Sequence, residues 1–174
     1  MLGYALRITS TTLRSAVRPP IGLFDESVVS MRVWPSDLDA FGHMNNGRYL
    51  TVADLGRQDM ALRSGLLRAW LRERLVPVVG AATIRYKRSL RPFRRYQLHT
   101  RFLGWDDRWF YIEQRFTRRG KLYAVALIKG MVRQGGVPVA PSQMAVASGL
   151  TPESPPLPEA VQHVNDAESW LLAS

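Results

Sequence analysis

The feature that most constrains this chain is a change of period near Pro77. Before it, Asn45 or Asn46 can cap a helical run reaching about Ser64, with Tyr49, Leu50, Ala53, Met60 and Ala61 as its apolar stripe. A second helical piece runs from Leu66 to Leu75. After Pro77 the helical spacing disappears. Val78 to Arg88, Tyr96 to Gly104, Trp109 to Arg118 and Leu122 to Arg133 read as strands. Turn signals divide them at Arg91-Pro92, Trp105-Asp106-Asp107-Arg108 and Arg119-Gly120. One earlier strand, Glu26 to Trp34, stops at Pro35. Strands joined by such short turns pair antiparallel, and the sheet they make buries one face on the long helix. The expected class is α+β.

The two ends read differently from the middle. Residues 1 to about 20 contain no acid, the first being Asp25. Leu2, Leu6, Leu13 and Val17 fall on one helical face, Arg7, Arg14 and Arg18 stand among Ser and Thr, and Pro19-Pro20 ends the segment. A helix packed on or beside the domain is the leading reading. An Arg- and Ser-rich targeting peptide and a basic amphipathic helix on a membrane surface are the others. From Gly135 on, Pro and Ser dominate, which predicts an irregular arm docked through Trp170, Leu171 and Leu172. The expected organisation is therefore a basic N-terminal segment over 1–24, the main domain over 25–135 and an arm over 136–174.

Composition narrows the chemistry. The 174 residues lack cysteine, which removes disulfides, thiolate nucleophiles and cysteine-ligated metals. No apolar run approaches the ~20 residues that span a bilayer. The formal charge is +10, with a sequence pI near 10.8. Such a surface favours polyanions: nucleic acid, anionic lipid or the phosphates of coenzyme A. Neither zinc-finger spacing nor an aromatic RNA-binding signature is present, so no specific nucleic-acid partner is expected. The expected location is cytoplasmic, with peripheral membrane contact through residues 1–20 as an option.

The chemistry concentrates in Ser36-Asp37-Leu38-Asp39-Ala40-Phe41-Gly42-His43-Met44-Asn45-Asn46-Gly47-Arg48-Tyr49. Two carboxylates, an imidazole and two amides precede a helix start, which sets acid/base groups beside helix N-terminal N–H groups able to hold an oxyanion. Asp39 can act as nucleophile or base, or be a turn residue bonding its own backbone. Asp37 reads as loop support or as a surface carboxylate beside an arginine. His43 is four residues from Asp39 and titrates near neutrality, so it can polarise a carbonyl, orient Asp39 or pack at the helix entrance. Asn45 and Asn46 are helix caps first, while Gly42 and Gly47 leave room for a substrate. Arg85, Lys87, Arg88, Arg91, Arg94 and Arg95 crowd one strand end and its turn, where guanidinium groups suit phosphates; a solvated basic loop is the plainer alternative. His99 and His163 stand alone, without metal-ligand spacing.

The element order, with Asp37-Leu38-Asp39-Ala40-Phe41-Gly42-His43-Met44-Asn45-Asn46 and Tyr49-Leu50, resembles the hotdog-fold acyl-CoA thioesterases of the hydroxybenzoyl-CoA thioesterase-like branch. Val33-Trp34-Pro35-Ser36-Asp37-Leu38-Asp39 and Leu103-Gly104-Trp105-Asp106-Asp107-Arg108 are similar to a narrower group, the thioesterase-superfamily-member-6-like proteins. The resemblance covers about Val28 to Arg133. It implies an antiparallel sheet wrapped around a long central helix, and a homodimer or homotetramer with sites between protomers. It further implies hydrolysis of acyl-CoA to carboxylic acid and free coenzyme A, with a place in fatty acid metabolism. The catalytic carboxylate would be Asp39, with His43 nearby. The thioester carbonyl would meet backbone N–H groups around Asn45, Asn46 and Gly47, and Arg85, Lys87, Arg88 and Arg91 would meet the phosphates. No metal or separate cofactor is implied, coenzyme A entering as part of the substrate. The alternatives are a non-catalytic acyl-CoA or lipid-binding protein at a membrane surface, and an enoyl-CoA hydratase on the same fold.

Overall fold

The computed structural model describes the backbone of residues 2–173 and the side chains of residues 6–169. Helix α1 (Leu2–Val17) is followed by strand β1 (Ser27–Arg32) and a single 3-10 turn (Pro35–Asp37). Next come α2 (Asn46–Arg63), α3 (Leu66–Arg72) and the strands β2 (Leu75–Tyr86), β3 (Arg95–Trp105), β4 (Phe110–Arg118) and β5 (Lys121–Gln134). A short β6 (Val137–Val139), α4 (Pro141–Ala147) and α5 (Glu159–Ala173) close the chain. The sheet is antiparallel throughout, in the order β1-β3-β4-β5-β2, with β6 paired to β5. This is the α+β arrangement expected, a curled sheet around one long helix.

Helix α2 forms because Asn45 caps it, its side chain accepting the Gly47 N–H at 2.9 Å, and because its inner face is apolar. Tyr49, Val52, Leu55 and Met60 are essentially inaccessible, each worth about 1.5–3 kcal/mol of burial. Three of them divide between two core clusters. Met60 packs with Phe102, Phe110, Ile112 and Ile128, while Tyr49 and Val52 pack with Leu90, Leu98 and Phe116. Helix and sheet approach so closely at Gly56 that a Cβ there would stand 2.4 Å from Thr100 Oγ1. A side-chain-free residue is required at that crossing.

Two boundaries differ from expectation. The helical piece after Gly65 ends at Arg72, and β2 already begins at Leu75. The chain turns there because Arg74 adopts a left-handed backbone, φ 53°, which no helix continues. Pro77 therefore lies inside a strand. It is tolerated because β2 is an edge strand, paired among the described residues with β5 alone.

The expected irregular arm after Gly135 is wrong. It holds β6 and two helices, with Pro141 in the first turn of α4, where its missing N–H costs nothing, and Met144 and Ala145 buried in the main core. Helix α5 docks on the sheet's outer face: Lys129 Nζ reaches Asn165 at 2.8 Å and Glu168 at 2.9 Å, and Asn165 donates to the Tyr111 hydroxyl. Trp170, Leu171 and Leu172, expected to dock the arm, lie outside the described side chains.

Helix α1 packs on α2, but through its polar side. Thr11 and Ser15 are buried, Ser15 donates to Asp59, and Gln58 donates to Thr12 at 2.6 Å. Leu6, Leu13 and Val17 point outward. Among the described residues no helix is long and apolar enough to cross a membrane.

Candidate active site

The segment from Asp37 to Asn45 is a closed loop. Its ends are joined by the Asn45 N–H donating to the Asp37 carbonyl at 2.8 Å, and within it Leu38 bridges Met44. The Asp39 N–H donates to the His43 carbonyl at 2.8 Å, and the Gly42 N–H to the Asp39 carbonyl at 3.1 Å. Gly42 turns the tip with φ 73°, a conformation side chains disfavour. The Met44 N–H then donates to the Leu90 carbonyl at 2.9 Å, holding this loop against the turn that follows β2.

The two carboxylates of the motif separate into different roles. Asp37 is wholly buried. Its Oδ2 accepts from Arg7 at 2.6 Å and from the Trp34 N–H at 2.9 Å, and its Oδ1 accepts from Arg48 at 3.1 and 3.3 Å. Every one of those bonds holds structure together. Asp39 is half-buried at the surface of the loop. Its Oδ1 accepts from the Phe41 N–H at 2.9 Å and the His43 N–H at 3.2 Å, while Oδ2 has no partner among the described residues. One oxygen thus fixes the carboxylate and the other makes no bond among the described residues.

His43 meets Asp39 through its backbone rather than its ring. The start of α2 supplies N–H groups unequally. That of Asn45 is given to Asp37 and that of Gly47 to the Asn45 side chain, so among these three the Asn46 N–H is the one without an acceptor. Asn46, Lys87 and Arg88 share a polar cleft of about 210 Å³ with Met44, Tyr49, Tyr86 and Ser89. Arg85 and Arg91 are exposed but do not line it, and Arg88 also donates to the Leu122 carbonyl at 2.7 Å.

A second cavity, of about 310 Å³, opens between the middle of α2 and the free edge of β2. Its walls are almost wholly apolar, with Met60, Leu67, Trp70, Val78, Phe110 and Ile128 among them. Its polar rim includes Asp54 and Arg57, which pair with one another, and Arg57 also donates to the buried Gln114 at 2.7 Å. Gln114 in turn donates to the Ala53 carbonyl at 2.8 Å and Thr100 Oγ1 at 3.0 Å, tying the rim to the centre of the sheet.

Sequence reasoning missed Tyr86, whose hydroxyl donates to the Asn46 carbonyl at 2.9 Å and whose ring packs edge-on against Tyr49. Burial raises its titration above that of a free phenol, so it stays a neutral donor. No sequence signal marks it, because the contact joins residues 40 apart. Arg7 was likewise read only as part of a basic segment. His99 bridges Glu26 and Thr117 on the sheet, and exposed His163 lies 3.5 Å from Glu159. Among the described residues no three His, Cys, Asp or Glu side chains gather as a metal site.

Comparison with known proteins gives this geometry a setting. A family model described as the thioesterase-like superfamily matches residues 33–164. Protein THEM6 of Xenopus laevis is 37% identical over 174 residues, covering 97% of this chain and 83% of its own. Protein THEM6 of Danio rerio is 41% identical over 135 residues, covering 76% and 67%. Thioesterase lcsJ of Purpureocillium lilacinum is 30% identical over 76% of this chain, which spans about half of that longer protein (51%). Among solved structures, YbaW, a probable thioesterase from Escherichia coli, has a TM-score of 0.66 at 20% identity over 70% of this chain and 95% of its own. A DHNA-CoA thioesterase from Staphylococcus aureus gives 0.61 at 14% identity, covering 82% and 95%. These two likenesses establish the hotdog fold, and the sequence relatives establish the lineage. The chain belongs to the thioesterase-like superfamily, in its THEM6-like group, as a hotdog-fold thioester hydrolase.

Proposed function

We propose that this protein hydrolyses acyl-CoA thioesters, with Asp39 as the catalytic carboxylate and the first turn of α2 as the oxyanion site. The observation that carries the reading is the asymmetry of Asp39. Oδ1 is fixed by two backbone N–H groups and Oδ2 is uncommitted, in a loop that runs straight into a helix N-terminus. A fixed carboxylate with one available oxygen suits attack on a thioester carbonyl, or the holding of an attacking water. The negative charge that develops on the carbonyl oxygen would be met by the Asn46 N–H at the positive end of the α2 dipole. Lys87 and Arg88 line the adjoining cleft and on this reading would take phosphate oxygens of coenzyme A. His43 acts on this scheme through its N–H, by fixing Asp39.

The acyl group is assigned to the apolar cavity beside β2. That cavity lies along β2, an edge strand among the described residues, with exposed Val76, Val78 and Val79. A second copy pairing edge to edge there would cover exposed apolar residues and roof the cavity, which supports a homodimer as the working form.

The test is free-thiol release from short, long and aromatic acyl-CoAs by the wild type and by Asp39→Asn. The variant is expected to lose at least about a hundredfold in kcat at unchanged melting temperature, the usual scale for removing a general base. Full activity in the variant would take Asp39 out of the mechanism. Consumption of crotonyl-CoA without thiol release would replace hydrolysis by hydration.

A further inference from the structure

An amphipathic helix on a globular domain ordinarily buries its apolar side. Helix α1 does the reverse, and the reversal is built in. Arg7 enters the buried Asp37, Ser15 donates to the buried Asp59, and just past the helix Arg18 donates to Asp59 at 3.1 Å and to the Val28 carbonyl at 3.0 Å. These bonds fix the rotation of α1 about its axis. The side turned outward then carries Leu6, Leu13 and Val17, spaced by seven and four residues and hence in one line along the helix. They are 72%, 66% and 85% exposed. Arg14 is exposed on one flank of this line and Ala16 on the other, and no acid occurs before Asp25.

The same end of the molecule carries a second apolar and basic feature. The Trp34 N–H and Arg7 share one oxygen of Asp37, so the N-terminal half of α1 borders the catalytic loop. Around that loop Trp34, Phe41 and Phe93 are exposed, Phe41 at 87%. Arg91, Arg94 and Arg95 are exposed beside Phe93, whose N–H donates to the Val33 carbonyl at 2.8 Å. Leucine and aromatic side chains with interspersed arginines, in a protein of net charge +10, match an interface of anionic headgroups over acyl chains.

We propose that the outward face of α1 docks this protein on an anionic lipid surface, with Leu6, Leu13 and Val17 entering the headgroup–acyl boundary and the catalytic loop facing the same surface. The polar side of α1 stays in its bonds with Asp37 and Asp59, so docking requires no unfolding. The consequence is that acyl thioesters partitioned into a membrane are presented next to Asp39.

The test is co-sedimentation of the full chain with phosphatidylcholine vesicles, with and without phosphatidylglycerol. Binding is expected to require the anionic lipid and to weaken as salt is raised. Leu6→Ser/Leu13→Ser is expected to lower vesicle partitioning by about tenfold or more, with melting temperature and thiol release from a water-soluble acyl-CoA unchanged. Val17→Trp, at a position 85% exposed, is expected to raise partitioning. Wild-type protein that stays in solution with anionic vesicles overturns the proposal, as does a Leu6→Ser/Leu13→Ser variant that binds like wild type. So does a drop in solution mass caused by that variant, which would assign the face to a second copy. None of these readings depends on Asp39, so failure here and failure of the catalytic reading are separable.

Discussion

Replacing Asp37 by Asn keeps the shape of the side chain and removes its charge, which isolates what the buried carboxylate contributes. Asp37 has no solvent-exposed side-chain surface, while Arg7 and Arg48 retain 16% and 27% of theirs. Breaking a buried pair by removing one partner costs about 3–5 kcal/mol. Here the orphaned arginines can turn partly to water, and Asn still accepts from the Trp34 N–H, so the cost falls to or below the floor of that range, about 2–3 kcal/mol. For a chain of this size about 1 kcal/mol moves the melting temperature by roughly 2–4 °C, so Asp37→Asn should melt about 5–10 °C lower. The assay is thermal unfolding followed by circular dichroism, paired with thiol release measured well below the transition. Activity per folded molecule should fall far less than in Asp39→Asn. An unchanged melting point would refute the assigned role of the two arginines. A stable but inactive Asp37→Asn would move the chemistry from Asp39 to Asp37.

Other substitutions probe the surroundings. Gly56→Ala gains about 1 kcal/mol of helix propensity but drives a Cβ to 2.4 Å from Thr100 Oγ1 and 3.0 Å from Gln114 Nε2. Overpacking at about 1–3 kcal/mol, together with a disturbed buried hydrogen bond, wins, and the urea midpoint should drop; a rise would contradict the close packing described. Tyr86→Phe removes the bond to the Asn46 carbonyl and keeps the ring packed on Tyr49, so kcat/KM should fall several-fold with little change in stability, and equal loss of both would make Tyr86 structural. Burial raises the Glu26 carboxyl, but hydrogen bonds and charge from His99 and Arg115 outweigh it and hold the group below its ordinary 4.5. A lowered pKa stabilises fully above that ordinary value and loses its effect as pH falls through the folded-state value, so Glu26→Gln should flatten the decline of melting temperature on the acid side of pH 4.5.

The fold was legible where local signals and burial agree. The Asn45 cap, the apolar stripe of α2 and the turns at Asp106-Asp107 and Arg119-Gly120 all act within a few residues, and the sequence places those elements to within two or three positions. Beyond Gly135 proline misled, because Pro141 starts a helix and Pro138 sits in a strand, and only the packing of Met144 into the core decides between those uses and an irregular arm. In the site, the division between Asp37 and Asp39 is a matter of which carboxylate meets arginines from elsewhere in the chain. Arg7 is 30 residues from Asp37, and nothing local to either residue announces the pair. Tyr86 and Gln114 escaped notice for the same reason, their partners in α2 being 40 or more residues away.

The basic composition also acquires an internal meaning. Asp37 is met by Arg7 from α1 and Arg48 from α2, and Asp59 by Arg18 from the N-terminal segment and Arg63 from α2, with Ser15 and Ser27 completing its shell. Each buried carboxylate thus joins the first 18 residues to the central helix through two guanidinium groups. Part of the arginine excess is therefore counter-charge for the interior and unavailable to any polyanion. A truncation at Pro20 would leave both carboxylates with half their cations in a low-dielectric interior, a loss on the order of 3–5 kcal/mol at each. Such a truncated chain would lose vesicle binding and activity together by unfolding, whatever α1 does at a surface. Substitutions on the outward line of Leu6, Leu13 and Val17, by contrast, leave both carboxylates paired, and so they separate docking from folding.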